Sequence, residues 1–397
     1  MRTTKGNSLL ETRRINRALI KNLIFRNENI TRIDIANTLS LTLPTITTTI
    51  NDMLNEGILE EIPLNSTING AGRRPNAIAF RAEMAYSIGV ELGPYFCSIA
   101  VLNMKGQTLS KKIIKSPNEK YKVMLDEICR NISDIILPYP KNKILGVGIG
   151  LPGFIKYSQG IIKNNPRKDW NLKPLAKDVE EKIGIKTIID NNVRIRAIGF
   201  ELSKVQVTDK PLAYLYTSKG VACPIIAKYG IISGNNSGAG ELGETVIQVN
   251  AKSFEHKVVD ELASERAIFE SCQKYLLDNK LKSLKAIIKE KSFYTIEDII
   301  RLQKAGDSEI NEIIENTIKY LGIALSNVVN LINPKFVVVD AYIMSLEKNR
   351  EYLIKNSHKF FFGLNEEEVN FIFQPYDEFW GAKAAALFVI SNLYLDA

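Results

Sequence analysis

The sequence predicts an α/β protein in two parts. A winged helix-turn-helix stands at the N-terminus, and a two-lobed, actin-like body (ribonuclease H-like, of the sugar-kinase type) lies behind it. Three observations lead there. The first eighty-odd residues hold three short helical patterns and then two strands around a basic loop tip. From Tyr86 onward, strands and helices follow in two similar rounds. A glycine-rich stretch, Gly234 to Gly243, falls in the second round.

At 397 residues the chain is about two to three times a typical domain, so more than one core is expected. A hydrophobic share of 45% and a charged share of 24% are ordinary for globular chains and exclude disordered, collagen-like or fibrous classes. No apolar run approaches the ~18 residues of a membrane span. The opening Met1-Arg2-Thr3-Thr4-Lys5 leads into polar residues with no apolar signal region, so a cytoplasmic protein without a membrane partner is expected. Cys97, Cys129, Cys223 and Cys272 are scattered and suggest neither a disulfide framework nor a thiolate metal site. The two histidines, His256 and His358, read as solvated surface residues.

Net charge is +8, from 52 Lys/Arg against 44 Asp/Glu, which permits a nucleic-acid partner. Residues 1–85 contribute only +3 (11 basic, 8 acidic), so the case rests on motifs.

The first helix places Ile15, Ala18, Leu19, Leu23 and Ile24 on an apolar stripe. Thr31 caps the second helix, with Asp34 in its first turn, and Ile33, Ile35, Ala36 and Leu39 are expected to be buried. Thr42 caps the third helix, and Pro44 is tolerated in its first turn. Ile46, Ile50, Met53 and Leu54 form its inner face. Pro44, Thr45, Thr48 and Asn51 form the outer face, with Thr47 at the flank. These short uncharged groups can approach base edges or phosphates at little desolvation cost. Gly57 ends the helix. Two strands between Ile58 and Phe80 flank a loop, Asn65 to Pro75, whose tip carries Arg73 and Arg74. The expected DNA contacts are therefore Thr42, Pro44, Thr45, Thr47, Thr48, Asn51, Arg73 and Arg74. This reading requires the threonine-lined face to be exposed. The alternative is a three-helix bundle for protein contacts.

In the body, strands are expected at Ser87 to Leu92, Phe96 to Leu102, Gln107 to Ile114, Ile144 to Gly150 and Lys186 to Asp190. Helices are expected at Val123 to Leu137, Lys173 to Ile183 and Val193 to Ser203. The second round has strands at Leu212 to Thr217 and Val221 to Tyr229. The glycine stretch leads straight into a helix-rich region that runs to Asn330. A strand, Phe336 to Asp340, and a closing helix, Gly381 to Leu395, complete it. The expected domains are 9–82, the helix-turn-helix; 84–200 plus 376–397, the first lobe; and 201–375, the second lobe with dimerisation helices.

Together these segments resemble the ROK family of repressors, open reading frames and kinases, and its xylose-operon and N-acetylglucosamine repressor branch in particular. The likeness is carried by Gly72-Arg73-Arg74-Pro75 and Ile88-Gly89-Val90-Glu91-Leu92-Gly93, then by Gly148-Ile149-Gly150-Leu151-Pro152-Gly153. Asn165-Pro166, Trp170, Asp190-Asn191-Asn192, Gly238-Ala239-Gly240-Glu241-Leu242-Gly243, Asn333-Pro334 and Gly381-Ala382 extend it. Kinase members use an Asp as general base where this chain has Asn192, and an amide cannot take that proton. Their first phosphate loop is matched by Glu91-Leu92-Gly93-Pro94-Tyr95 and their second by Gly220-Val221-Ala222-Cys223-Pro224, each with a proline that lacks an N–H. Their late Gly-Gly is Asp340-Ala341. The structural zinc of many members would need ligands at Glu244, Ala251, Ser253 and Val258, none of them a thiolate or imidazole.

The resemblance therefore implies no catalytic residues, no metal and no cofactor. It implies a repressor of carbohydrate-use genes that binds operator DNA as a homodimer or a dimer of dimers. Asn191, Asn192, Glu241, Glu244 and Asp260 are the candidates for a sugar effector. Their alternative roles are a helix cap for the amides and loop-closing acceptors for the acids. Two other functions stay open: a sugar kinase with an appended helical domain, and a dimeric DNA-binding protein with no effector.

Overall fold

The computed structural model describes residues 9–64, 76–114, 120–203, 211–228 and 230–396. The N-terminal segment forms α1 (Leu9–Arg26), α2 (Arg32–Leu39) and α3 (Leu43–Asn55), then an antiparallel pair, β1 (Leu59–Pro63) and β2 (Asn76–Phe80). Thr31 and Asp34 make the reciprocal cap of α2: the Asp34 N–H donates to Thr31 Oγ1 at 3.2 Å, and the Thr31 N–H donates to Asp34 Oδ2 at 2.9 Å. Past α3, Gly57 takes φ +73°. Its N–H donates to the Leu54 carbonyl and the Ile58 N–H to that of Met53, a Schellman ending.

Ile20, Ile24, Ile35, Ile46, Ile50, Met53, Leu59, Ile78 and Phe80 are buried together. Three expected core positions lie outside: Ile33 is 56% exposed, Leu19 45% and Ile15 38%. For the two on α1 the cause is long-range packing, because α1 also rests on the C-terminal end of the chain. Lys21, on the stripe beside Ile20, is buried where its ammonium donates to the Tyr394 carbonyl and sits over the Tyr394 ring.

The body begins with β3 (Tyr86–Leu92), β4 (Cys97–Asn103), β5 (Thr108–Ile114), α4 (Tyr121–Ile135) and β6 (Ile144–Leu151). A small antiparallel pair follows, β7 (Phe154–Lys156) and β8 (Ile161–Asn164), and then α5 (Leu175–Ile183), β9 (Thr187–Asn191) and α6 (Asn192–Ser203). The sheet order is β5-β4-β3-β6-β9, with β3, β6 and β9 parallel and the β3–β4 and β4–β5 pairs antiparallel.

The second unit carries β10 (Leu212–Thr217), β11 (Val221–Ala222), β12 (Ile225–Ala227) and β13 (Gly230–Ile231). It continues through β14 (Val246–Val249), β15 (His256–Val258), α7 (Val259–Ala263), α8 (Glu265–Leu277), α9 (Lys282–Lys291), α10 (Ile296–Lys304) and α11 (Ser308–Ile332). It closes with β16 (Phe336–Ala341), α12 (Glu347–His358) and β17 (Asn370–Phe373). Its sheet runs β13-β12-β10-β16-β17, with β10, β16 and β17 parallel and β17 at one edge, and α11 lies in a core with Ile299, Val337 and Val339. The single strand expected at Val221 to Tyr229 is broken at Cys223-Pro224 into β11 and β12. The glycine stretch leads through a short 3-10 turn, Leu242–Glu244, into the β14–β15 pair before any α-helix. His358 is only partly solvated: it lies half-buried against Phe361, with ring centroids 4.5 Å apart.

The chain returns to the first unit as α13 (Trp380–Ile390) and a π-helical turn to Leu395. This helix lies directly on β3 and β6. A Cβ on Gly89 would stand 1.9 Å from the Ala382 carbonyl oxygen, and one on Gly148 2.3 Å from that of Ala385. Leu387, Ile390 and Leu395 join the core of the N-terminal helices, as do Leu102 and Leu202. The chain boundary expected near residue 83 is therefore not a core boundary. The N-terminal segment and the first lobe make one compact unit with the C-terminal helix, and the segment from Val207 to Glu378 makes the other.

Candidate nucleic-acid interface and effector residues

The third helix is built from its inner face outward. Ile46, Ile50 and Met53 are fully buried, which leaves Pro44, Thr45, Thr48 and Asn51 exposed along the opposite face and Thr47 half-buried at its edge. Thr42 is exposed and caps the helix, its Oγ1 3.4 Å from the Thr45 N–H and 2.8 Å from the Thr45 hydroxyl. Asp52 is exposed beside Asn51. Asn51 Oδ1 accepts from Arg32 Nη2 at 3.1 Å, and the other arm of Arg32 pairs with Glu61 on β1. Asn76, at the start of β2, donates to the second Glu61 oxygen at 2.7 Å. Sequence reasoning missed Arg32; its place directly after the Thr31 cap was the available signal. Arg73 and Arg74 lie outside the described residues.

In the first lobe, Asn191 does a structural job. Its Oδ1 accepts the Val193 and Arg194 N–H groups at 2.9 and 3.2 Å, capping α6, and its Nδ2 donates to the Gly153 carbonyl at 3.0 Å. Asn192 is 5% exposed, and its side chain has no hydrogen-bond partner among the described residues.

Two buried ion pairs flank it. Arg194 Nε lies 3.1 and 3.3 Å from the two Asp190 oxygens. Burial pushes the Asp190 carboxyl upward, and the Arg194 charge opposes that shift. Arg196 donates from Nε and Nη2 to the two oxygens of Glu91, at 2.7 and 2.8 Å. Neither arginine was singled out from the sequence, although an Arg-x-Arg inside an otherwise apolar helix start was there to find.

In the second unit, Asp260 is a loop-closing acceptor. Its Oδ1 takes the Val221 N–H at 2.6 Å, and Gly220 and Gly243 press against its carboxyl group. Gly240, at φ +99°, lies so close to Pro224 that a Cβ would meet it at 2.9 Å, and its carbonyl accepts from Cys223 N–H at 2.7 Å. Glu241 and Glu244 are exposed. The β14–β15 turn is closed by Asn250, whose Oδ1 accepts from the Lys252 and Ser253 N–H groups. Glu244, Ala251, Ser253 and Val258 do not make a zinc donor set. Among the described residues no three His, Cys, Asp or Glu side chains come together as metal ligands.

Nor do these residues suit a nucleotide. Glu91 is already paired, and Pro94 and Pro224 remove N–H groups from both loops.

Two domains of this sheet order, with α13 returning to the first, define an actin-like fold of the sugar-kinase type. The model of the ROK family matches residues 87–391, and the chain belongs to that family. The xylose repressor of Bacillus subtilis (strain 168) is 25% identical over 332 residues, covering 82% of each chain. A crystal structure of a ROK family transcriptional regulator, homologous to the Escherichia coli MLC protein, superposes at a TM-score of 0.77 with 19% identity and covers 97% of both chains. A ROK family glucokinase from Streptomyces griseus, solved with glucose and AMPPNP, superposes at 0.64 with 18% identity, covering 77% of this chain and 99% of its own. The regulator's fold thus extends over the N-terminal segment, whereas the kinase is spanned almost whole by the body.

Proposed function

We propose that this protein is a DNA-binding transcriptional regulator: a repressor of carbohydrate-use genes with a winged helix-turn-helix reader and a body that binds a sugar effector without phosphorylating it. The observation that carries the reading is the outer face of α3. It is exposed, short and polar at Pro44, Thr45, Thr48 and Asn51, on a helix held from behind by three fully buried side chains. Such a helix offers hydroxyl and amide groups to a major groove, and Arg73 and Arg74 would add the basic wing. Relatives that cover most of the chain are named as xylose repressors and as a DNA-binding transcriptional dual regulator. Two such readers match a two-fold operator when the protein is a homodimer or a dimer of dimers.

The sugar contacts in this reading are Asn192, Glu241 and Glu244. The oxygens of Asn191 and Asp260 already accept backbone N–H groups, so those two side chains are committed within their own units. Phosphoryl transfer is disfavoured because Asn192 cannot act as a base and Glu91 is neutralised by Arg196. By linkage, a sugar that releases DNA must bind the DNA-free form more tightly.

The test is operator binding measured against salt, in wild type and R74A, with and without hexoses, pentoses and amino sugars. A steep salt dependence, reduced by R74A, is the expected result. Binding insensitive to both removes the reader assignment. Turnover of ATP and a sugar, abolished by N192A, would restore the kinase reading.

A further inference from the structure

We propose that Asn51 meets DNA as a hydrogen-bond donor only, and that Arg32 imposes this. The inference rests on the DNA-reading function proposed above and concerns which bases that reader accepts.

A guanidinium carries donors and no acceptor. The Arg32 Nη2 contact at 3.1 Å therefore fixes the Asn51 amide with its oxygen toward Arg32 and its nitrogen away. Arg32 is itself clamped. Its Nη1 pairs with Glu61, whose other oxygen is held by Asn76 at 2.7 Å, and the Arg32 side chain is only 23% exposed. The guanidinium thus ties the outer face of α3 to the stem of the β1–β2 pair.

An asparagine with both functions free recognises adenine by donating to N7 and accepting from the N6 amino group. The Asn51 oxygen keeps a second lone pair, but with its carbonyl turned onto Arg32 the residue no longer presents donor and acceptor side by side as adenine requires. The two Nδ2 hydrogens that remain match an edge that presents acceptors: N7 and O6 of guanine, or O4 of thymine. The geometry thus assigns Asn51 a keto base and a bias against adenine. Arg32 acts as a positioning residue, through Asn51.

Duplexes would be selected from a randomised library by the full chain and by its N51A and R32M variants. The position whose preference vanishes in N51A belongs to Asn51. Wild type is expected to select guanine or thymine there. Replacing a selected guanine by 7-deazaguanine should weaken wild type about tenfold and leave N51A unchanged. R32M frees the Asn51 oxygen, so adenine should become acceptable at that position and no other. Circular dichroism confirms that each variant is folded.

Adenine at that position in wild type would overturn the inference. So would an N51A variant that loses affinity uniformly over all sequences, which is the mark of a phosphate contact. Selection of no duplex by wild type removes the DNA reading itself, a result distinct from either.

Discussion

Arg196 grips both oxygens of Glu91 although 105 residues separate them, and the two side chains are 11% and 3% exposed. Gly381 packs so tightly on that carboxylate that a Cβ would lie 1.8 Å from Oε2. The acid on the stretch that resembles a phosphate loop is thus neutralised and walled in by the chain itself. Removing the guanidinium leaves a buried charge unpaired, so R196M is expected to cost about 3–5 kcal/mol. The double variant E91L/R196M removes both charges and should recover most of that loss. Urea unfolding of the three proteins measures the difference. A single variant as stable as wild type would mean that the carboxylate has another partner.

Arg26, the last residue of α1, makes a two-pronged pair with Glu201 in the last turn of α6, at 2.6 and 2.9 Å. One helix therefore runs from Asn192, a proposed sugar contact, to the proposed DNA reader. E201A should cost about 1 kcal/mol, in keeping with a half-buried pair. It should also speed amide exchange in α1 while leaving β3 unchanged. Equal acceleration in both would show that the pair supports the whole unit and not the docking of α1.

The caps were legible because their chemistry is local. Thr31 with Asp34, Thr42 with Pro44, and Gly57 each act within a few residues. The body strands were legible because apolar runs ended at glycines and polar turns. The face of α1 was not, since Lys21 is buried by a carbonyl 373 positions away. α12 was missed because its sequence, EKNREYLIKNSH, is mostly polar, and its burial comes from distant partners: Asn356 and Ser357 pack on Gly322 of α11, and Asn349 pairs with Gln303 of α10. At the site, residue types were readable but their partners were not. Asn191 and Asp260 proved to hold the backbone, and Arg194 and Arg196 entered only through ion pairs that no spacing announces.

Burial raises the Asp260 carboxyl above its ordinary value, and nearby Glu244 adds to the shift, while the Val221 N–H and Arg266 oppose it. The folded state then takes up a proton before the unfolded state does. Stability from this group grows as pH falls through the raised range and is lost as pH rises above it. D260N keeps an oxygen for Val221 and removes the charge. It should melt above wild type at neutral pH, and the gap should shrink as pH falls through the raised range of this carboxyl group. Thermal unfolding of both proteins across that window is the measurement. A gap that widens at low pH would show the carboxylate to be stabilised in place.

Thr42 has two roles that one substitution separates. Its hydroxyl caps α3 through the Thr45 N–H, and it lies exposed at the start of the face proposed to meet DNA. Aspartate is as good a cap and suits the positive end of the helix. T42D should therefore leave the melting temperature unchanged or slightly raised. The added negative charge would face phosphate, so operator affinity should fall by about tenfold or more at low salt, with the deficit narrowing as salt screens it. T42A gives the opposite pattern: about 1 kcal/mol of stability lost with the cap, and no added repulsion. Melting by circular dichroism and binding by fluorescence anisotropy read the two effects apart. If T42D bound DNA as tightly as wild type, the start of α3 would lie away from the duplex, and the contact surface would have to be sought on another face of the N-terminal segment.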